Sequence, residues 1–206
     1  MARVGSGEFD GAVTGVLGPY LFDTNVIDKV LADPDLCELF VIASAEFAVK
    51  FYVTHLAIDE VEKISVDRDD RRQALLQVLA QLPADRIATS TLVLGISWFD
   101  EARFGSDLDA EDFRRLTGGN VRHAEDVMLA LTARSIGATV VSEDDDLRRM
   151  AGKLAINWIT TGQLQQALGQ MRRVNPLRDS LWNGPEFGYT DSGTLSTQTP
   201  SDESDD

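Results

Sequence analysis

Carboxylates are the side chains in this 206-residue chain whose types and spacing could do chemistry. Residues Ala124 to Leu147, AEDVMLALTARSIGATVVSEDDDL, open on an acidic pair, continue as an amphipathic helix, turn at Gly137 and pass through a short apolar strand into three consecutive aspartates. Two further stretches, LFDTN from Leu21 and THLAIDE from Thr54, add Asp23 and Glu60. Asp and Glu brought together suit Mg²⁺ or Mn²⁺, hard cations that prefer carboxylate oxygen and retain water. A bound cation also offsets the like-charge repulsion that raises carboxylate pKa values. Taken singly, each acid has a plainer reading. Asp23 or Thr24 reads as the cap of the helix behind it, and Asp144 to Asp146 as caps and dipole partners of another. Glu60 alone reads as a solvated helix residue, and Asp126 as a first-turn acid.

The elements that must position these acids alternate in type. A strand over Tyr20 to Phe22 follows Gly18-Pro19, and Val26, Ile27, Val30 and Leu31 recur at helical spacing until Pro34. A helix from Leu36 to Ala48 leads to a strand at Phe51 to Val53. In the segment Leu56 to Ile64, Leu56, Val61 and Ile64 face inward beside Glu60. Arg71 to Leu82 is an amphipathic helix closed by Pro83. A strand is placed near Ile87 to Thr89 and a helix near Leu92 to Phe104, while the acidic segment Asp100 to Asp112 blurs the pattern and Gly118-Gly119-Asn120 breaks it. The helix Ala124 to Ile136 stops at Gly137. Strands at Thr139 to Val141 and Ile156 to Thr160 then alternate with helices at Leu147 to Leu154 and Gln163 to Arg172.

Such alternation predicts an α/β fold with a mostly parallel sheet covered on both faces. Sites in these sheets gather beyond the carboxyl ends of strands, where connections diverge. Asp23 and Asp144 each follow a strand and so have a structural reason to meet. Asp126 joins them if its helix runs antiparallel to the strand after it, a step that position in the sequence leaves open.

Composition bounds the rest. With 43% apolar residues the chain can bury a sizeable core. Its single cysteine, Cys37, excludes an intrachain disulfide, reads as a small buried hydrophobe, and points to a reducing, cytoplasmic setting. The apolar window Leu39 to Ile58 is interrupted by Glu46, Lys50 and His55, so no membrane span is expected. His55 and His123 are too few and too separated for zinc and read as ordinary polar residues. Trp98, Trp158 and Trp182 read as core or interface. A net charge of −15 argues against a simple nucleic-acid binder, but six of the acids lie from Glu186 onward without Lys or Arg, leaving −9 in residues 1 to 185. Two divalent cations in a four-carboxylate site would lower that further. The expected organisation is a Gly-rich flexible leader over residues 1 to 18, one domain over 19 to 185, and a disordered acidic tail over 186 to 206.

In this order, LFDTN, THLAIDE, AEDVMLALTARSIG and VVSEDDDL resemble the four acidic motifs of PIN-domain ribonucleases, a family that includes many bacterial toxins. Asp23, Thr24 and Asn25 match the first motif, Thr54 and Glu60 the second, Asp126 with Leu129, Ala130 and Ala133 the third, and Ser142, Asp144 and Asp146 the fourth. The resemblance covers about Tyr20 to Thr161. It implies a three-layer α/β/α PIN-like fold and an Mg²⁺- or Mn²⁺-dependent ribonuclease of toxin or RNA-processing type, leaving a 5′-phosphate and a 3′-hydroxyl. It also implies that Asp23, Glu60, Asp126 and Asp144 are catalytic and hold metal, that Asp146 assists, and that Thr24, Asn25 and Ser142 support them. RNA would be the substrate, with room for an antitoxin or other protein partner and for a homodimer. Glu143 departs from the family pattern, in which a polar neutral residue is common at that place. Two other readings remain: a catalytically idle PIN-like module binding RNA or protein, and a metal-dependent phosphatase. The phosphatase would want a second carboxylate two residues after Asp23, where Asn25 stands.

Overall fold

The computed structural model of the chain describes residues 18–90, 107–118 and 123–174. The expected leader, the helix near Leu92 to Phe104, Trp98, Trp182 and the acidic tail lie outside the described residues.

Five parallel strands form one sheet in the order β3-β2-β1-β4-β5. They are β1 (Tyr20–Phe22), β2 (Phe51–Thr54), β3 (Ala84–Ile87), β4 (Thr139–Val141) and β5 (Trp158–Ile159). Among the described residues the α-helices are α1 (Thr24–Ala32), α2 (Pro34–Phe47), α3 (His55–Glu62), α4 (Asp69–Gln81), α5 (Asp107–Thr117), α6 (Ala124–Ile136), α7 (Asp145–Lys153) and α8 (Thr161–Val174). β1 is central. It pairs with β2 on one side, Phe22 opposite Val53, and with β4 on the other, Phe22 opposite Val141. The chain winds outward from β1 in one direction and returns on the other side through β4, so the connections diverge at the carboxyl ends of β1 and β4.

Side-chain alternation along the strands divides the core into two layers. Tyr20, Phe22, Phe51, Val53 and Val141 face one side and pack with Val26, Ile27, Phe40, Leu75, Leu164 and Leu168 from α1, α2, α4 and α8. Leu21 and Val140 face the other side and pack with Val127, Leu131, Leu147 and Met150 from α6 and α7. The result is a three-layer α/β/α fold. At the centre of the first layer Phe22, Phe40 and Phe51 lie with ring centroids 5.1–5.2 Å apart, within the range of favourable aromatic pairs. Gly137 ends α6 at φ 65°, a left-handed conformation glycine adopts without a Cβ penalty, and the chain turns there into β4.

Several local expectations shift. β3 begins directly after Pro83, three residues before the strand read from sequence. Its Asp85 and Arg86 have little strand preference; pairing with Tyr52 and Val53 of β2 places them, and as an edge strand β3 tolerates charge. The blurred acidic segment ends in a helix, α5. Arg134 on α6 reaches Asp109 at 2.7 Å and Asp112 at 2.6 Å, and Arg115 holds Asp112 as well. These guanidinium contacts hold the Asp112 carboxyl below the usual range. Periodicity alone could not show this, because α5 is fixed by charge pairing across helices. Trp158 is not a core residue: it is 39% exposed, with the Arg148 guanidinium 5.0 Å from its ring centroid. His55 is buried at the first position of α3, and Cys37 is only partly buried at the margin of the first core layer. No helix among the described residues is long and apolar enough to cross a membrane.

Candidate functional site

Asp23 follows β1 and caps α1: its Oδ1 accepts from the Thr24 N–H at 2.8 Å. Asp144 follows β4 and caps α7, its Oδ1 accepting from the N–H groups of Asp146 at 2.6 Å and Leu147 at 3.3 Å. Both acids therefore do what a capping residue does. Because β1 and β4 are paired and end in register, the two caps are also neighbours at the point where the connections diverge.

Ser142 and Asn25 join them. The Ser142 hydroxyl donates to Asp23 Oδ2 at 2.7 Å and accepts from the Asp144 N–H at 2.9 Å. The Asn25 amide donates to Asp23 Oδ2 and to Ser142 Oγ, the latter at 3.0 Å, while its carbonyl accepts from the Glu143 N–H at 3.0 Å. Ser142 is fully buried beneath this network. A side chain that braces two loops in this way does not serve as the second carboxylate an aspartyl phosphatase requires, and Asn25 has no acid to offer.

Asp126 stands in the first turn of α6. A crossover helix runs back against the strand that follows it, so its first turn lies at the carboxyl edge and its last turn, at Gly137, lies at the amino edge. That settles the step the sequence left open. Burial pushes the Asp126 carboxyl up to about 7, helped by the charges of Asp144, Asp23, Asp146 and Glu125. Burial also raises Asp23, against the hydrogen bonds from Ser142 and Thr24, and Glu60 and Asp144 add to the rise. Glu60 is exposed on α3 and meets the cluster through its charge on Asp23. Asp146 is half-buried and paired with Arg149 at 2.7 Å. Thr24 contributes its backbone N–H.

The structure thus draws Asp23, Asp126, Asp144, Asp146 and Glu60 into one electrostatic neighbourhood. They interact through space as charges; among the described residues no three His, Cys, Asp or Glu side chains already stand at metal-ligand spacing. The donor set, carboxylates alone with hydroxyl and amide support, fits a hard divalent cation such as Mg²⁺ or Mn²⁺. Glu60, exposed on α3, has room to change rotamer toward one.

Sequence reasoning missed Glu143 as part of this edge. Its Oε1 accepts from the Thr161 N–H at 2.9 Å, at the start of α8. The signal was available in the spacing of Thr160 and Gln163, a capping box in which Gln163 N–H donates to Thr160 Oγ1 at 3.1 Å and Thr160 N–H to Gln163 Oε1 at 2.8 Å. That motif fixes where α8 begins, and hence which N–H groups face the loop after β4.

No protein-family model matches the chain, and no curated protein does. Solved structures do. PAE2754 from Pyrobaculum aerophilum is 16% identical, with a TM-score of 0.48 over 74% of this chain and 98% of that one. The DNA-bound VapBC from Salmonella typhimurium is 17% identical, with a TM-score of 0.42 over 69% and 98%. VapBC2 from Rickettsia felis, bound to a DNA fragment from its promoter, is 14% identical, with a TM-score of 0.42 over 69% and 98%. The chain's own strand order and helix layers define a three-layer α/β/α protein with an acidic edge at the carboxyl ends of β1 and β4.

Proposed function

We propose that the chain is a divalent-metal-dependent ribonuclease. The supporting observation is the electrostatic coupling of Asp126 to Asp23, Asp144 and Asp146, and of Asp23 to Glu60 and Asp144, near the divergence point of β1 and β4. Holding several carboxylates together is costly without a cation, and among the described residues no Lys or Arg is paired with Asp23 or Asp126. Asp23, Glu60, Asp126 and Asp144 would hold Mg²⁺ or Mn²⁺, with Asp146 able to assist on leaving Arg149. When bound, such an ion supplies Lewis acidity toward a phosphodiester and lowers the pKa of water. The chain's own contribution is orientation. Ser142 and Asn25 fix the Asp23 carboxylate, and the α7 amides fix that of Asp144. Asp126, free of such donors among the described residues, is the acid that changes protonation near neutral pH. RNA as the substrate and an antitoxin-type protein partner follow from the motif resemblance.

Incubation of the protein with Mn²⁺ and mixed RNA tests this. The expected result is cleavage that EDTA and Asp126→Asn both abolish. RNA binding without cleavage would instead establish an idle binding module, and release of inorganic phosphate from phosphomonoesters without RNA cleavage would establish a phosphatase.

A further inference from the structure

Glu143 lies between Ser142 and Asp144, in the loop that delivers both to the acidic edge. Its backbone N–H donates to Asn25 Oδ1 at 3.0 Å, tying the loop to the start of α1. Its side-chain Oε1 accepts from the Thr161 N–H at 2.9 Å, tying the same residue to the start of α8. Neither anchor is loose. Asn25 is braced by Asp23 and Ser142, and α8 is seated in the core by Leu164 and Leu168, exposed by 0% and 1%. Thr161 is itself buried, at 3%. The first connection is the backbone's and any residue here could make it; the second needs the side chain, and a solvated glutamate would not make it. The placement also answers a difficulty of charge: one more carboxylate beside an acidic cluster is unfavourable, yet here it faces the N-terminus of a 14-residue helix, where the backbone dipole favours an anion.

We infer that Glu143 is a positioning residue, a strut from the β4–α7 loop to α8 that sets where Ser142 and Asp144 stand relative to Asp23. The inference rests on the metal-dependent reading of the acidic edge, and its experiment separates the two. Mn²⁺ affinity is measured by calorimetry on the full chain, with thermal unfolding in EDTA run alongside. Glu143→Ala removes the acceptor and is expected to weaken Mn²⁺ binding about tenfold, the lower end of what loss of a group orienting a ligand costs. Glu143→Gln keeps an oxygen at the same reach and is expected to restore most of that affinity. Thr161→Pro removes the donor from the opposite side at the first helical position, where proline is tolerated. It is expected to reproduce the Ala phenotype, and the double variant to lose no more than either single one. Should the wild type take up Mn²⁺ while the Ala and Pro variants bind as tightly, the strut is refuted and the metal reading stands. Should the wild type take up no Mn²⁺ at all, the metal reading falls and takes the strut's role with it.

Discussion

Asp126→Asn should stabilise the metal-free protein, and only at high pH. In the folded state burial and four neighbouring acids push the Asp126 carboxyl from 3.8 up to about 7. The folded chain therefore holds this proton more tightly than the unfolded chain. The stabilising protonation is complete below about pH 3.8 and is lost as pH rises to about 7. At ~1.4 kcal/mol per pH unit the full loss would be about 4 kcal/mol, but the side chain is half-exposed and solvent screening leaves about 1–2 kcal/mol. Asparagine keeps the shape and carries no charge, so in EDTA at pH 8.5 the variant should be more stable by that amount, a rise in Tm of about 2–8 °C for a chain of this size. The gap should narrow to well under 1 kcal/mol toward pH 4, where the folded wild-type carboxyl is protonated and the unfolded one is about half so, by ~RT ln 2.6. Urea unfolding at the two pH values measures it. A gap that is the same at both, or an Asn variant less stable at pH 8.5, refutes the idea that Asp126 bears the repulsion of the cluster. Saturating Mn²⁺ at pH 8.5 should reverse the order, because the wild type alone gains the ligand's binding energy in full.

Two further substitutions probe the support beneath the acids. Ser142→Ala deletes a buried hydroxyl that donates to Asp23 and accepts from Asn25 and the Asp144 N–H, and should cost about 1–3 kcal/mol in urea unfolding; no loss would show that the network carries no stability. Thr54 is the opposite case. Its hydroxyl is fully buried with no hydrogen-bond partner among the described residues, so Thr54→Val should leave stability unchanged or raise it by up to about 1 kcal/mol, and a loss of more than that would reveal a partner or a ligand role.

The elements that carry the site were legible because they obey local rules. Tyr20–Phe22, Phe51–Thr54 and Thr139–Val141 are short, mainly aromatic and β-branched runs, the first set between Pro19 and Asp23, and α6 ends at a glycine that adopts positive φ. What escaped was set by pairing at a distance. β3 takes its position from β2, and α5 is held by Arg134, twenty-two residues beyond Asp112. Glu143 escaped for the same reason, since its partner on α8 is eighteen residues away and declares itself only through the Thr160–Gln163 capping box. Asp126 was named but not placed, and it is the handedness and direction of a parallel crossover, not any residue near it, that brings a helix start to the carboxyl edge.

The choice between a helix cap and a site ligand, posed by each acid alone, dissolves in the structure. Capping is what holds Asp23 and Asp144 in place: each points one carboxylate oxygen at the first turn of the helix behind it, and those helices start at the same edge because their strands are parallel neighbours. The cap hydrogen bonds, with those from Ser142 and Asn25, also give these two anions donors that offset part of the mutual repulsion. Asp126 receives no such donor among the described residues, so nothing offsets its burial and, secondarily, the charges of its acidic neighbours, and it is the group raised to about 7. Two acids are thereby fixed by the backbone, and the third is left holding its proton up to about pH 7. The proposed cation-binding role calls for a carboxylate in that condition, since a bound cation would offset both its burial and the repulsion of its neighbours.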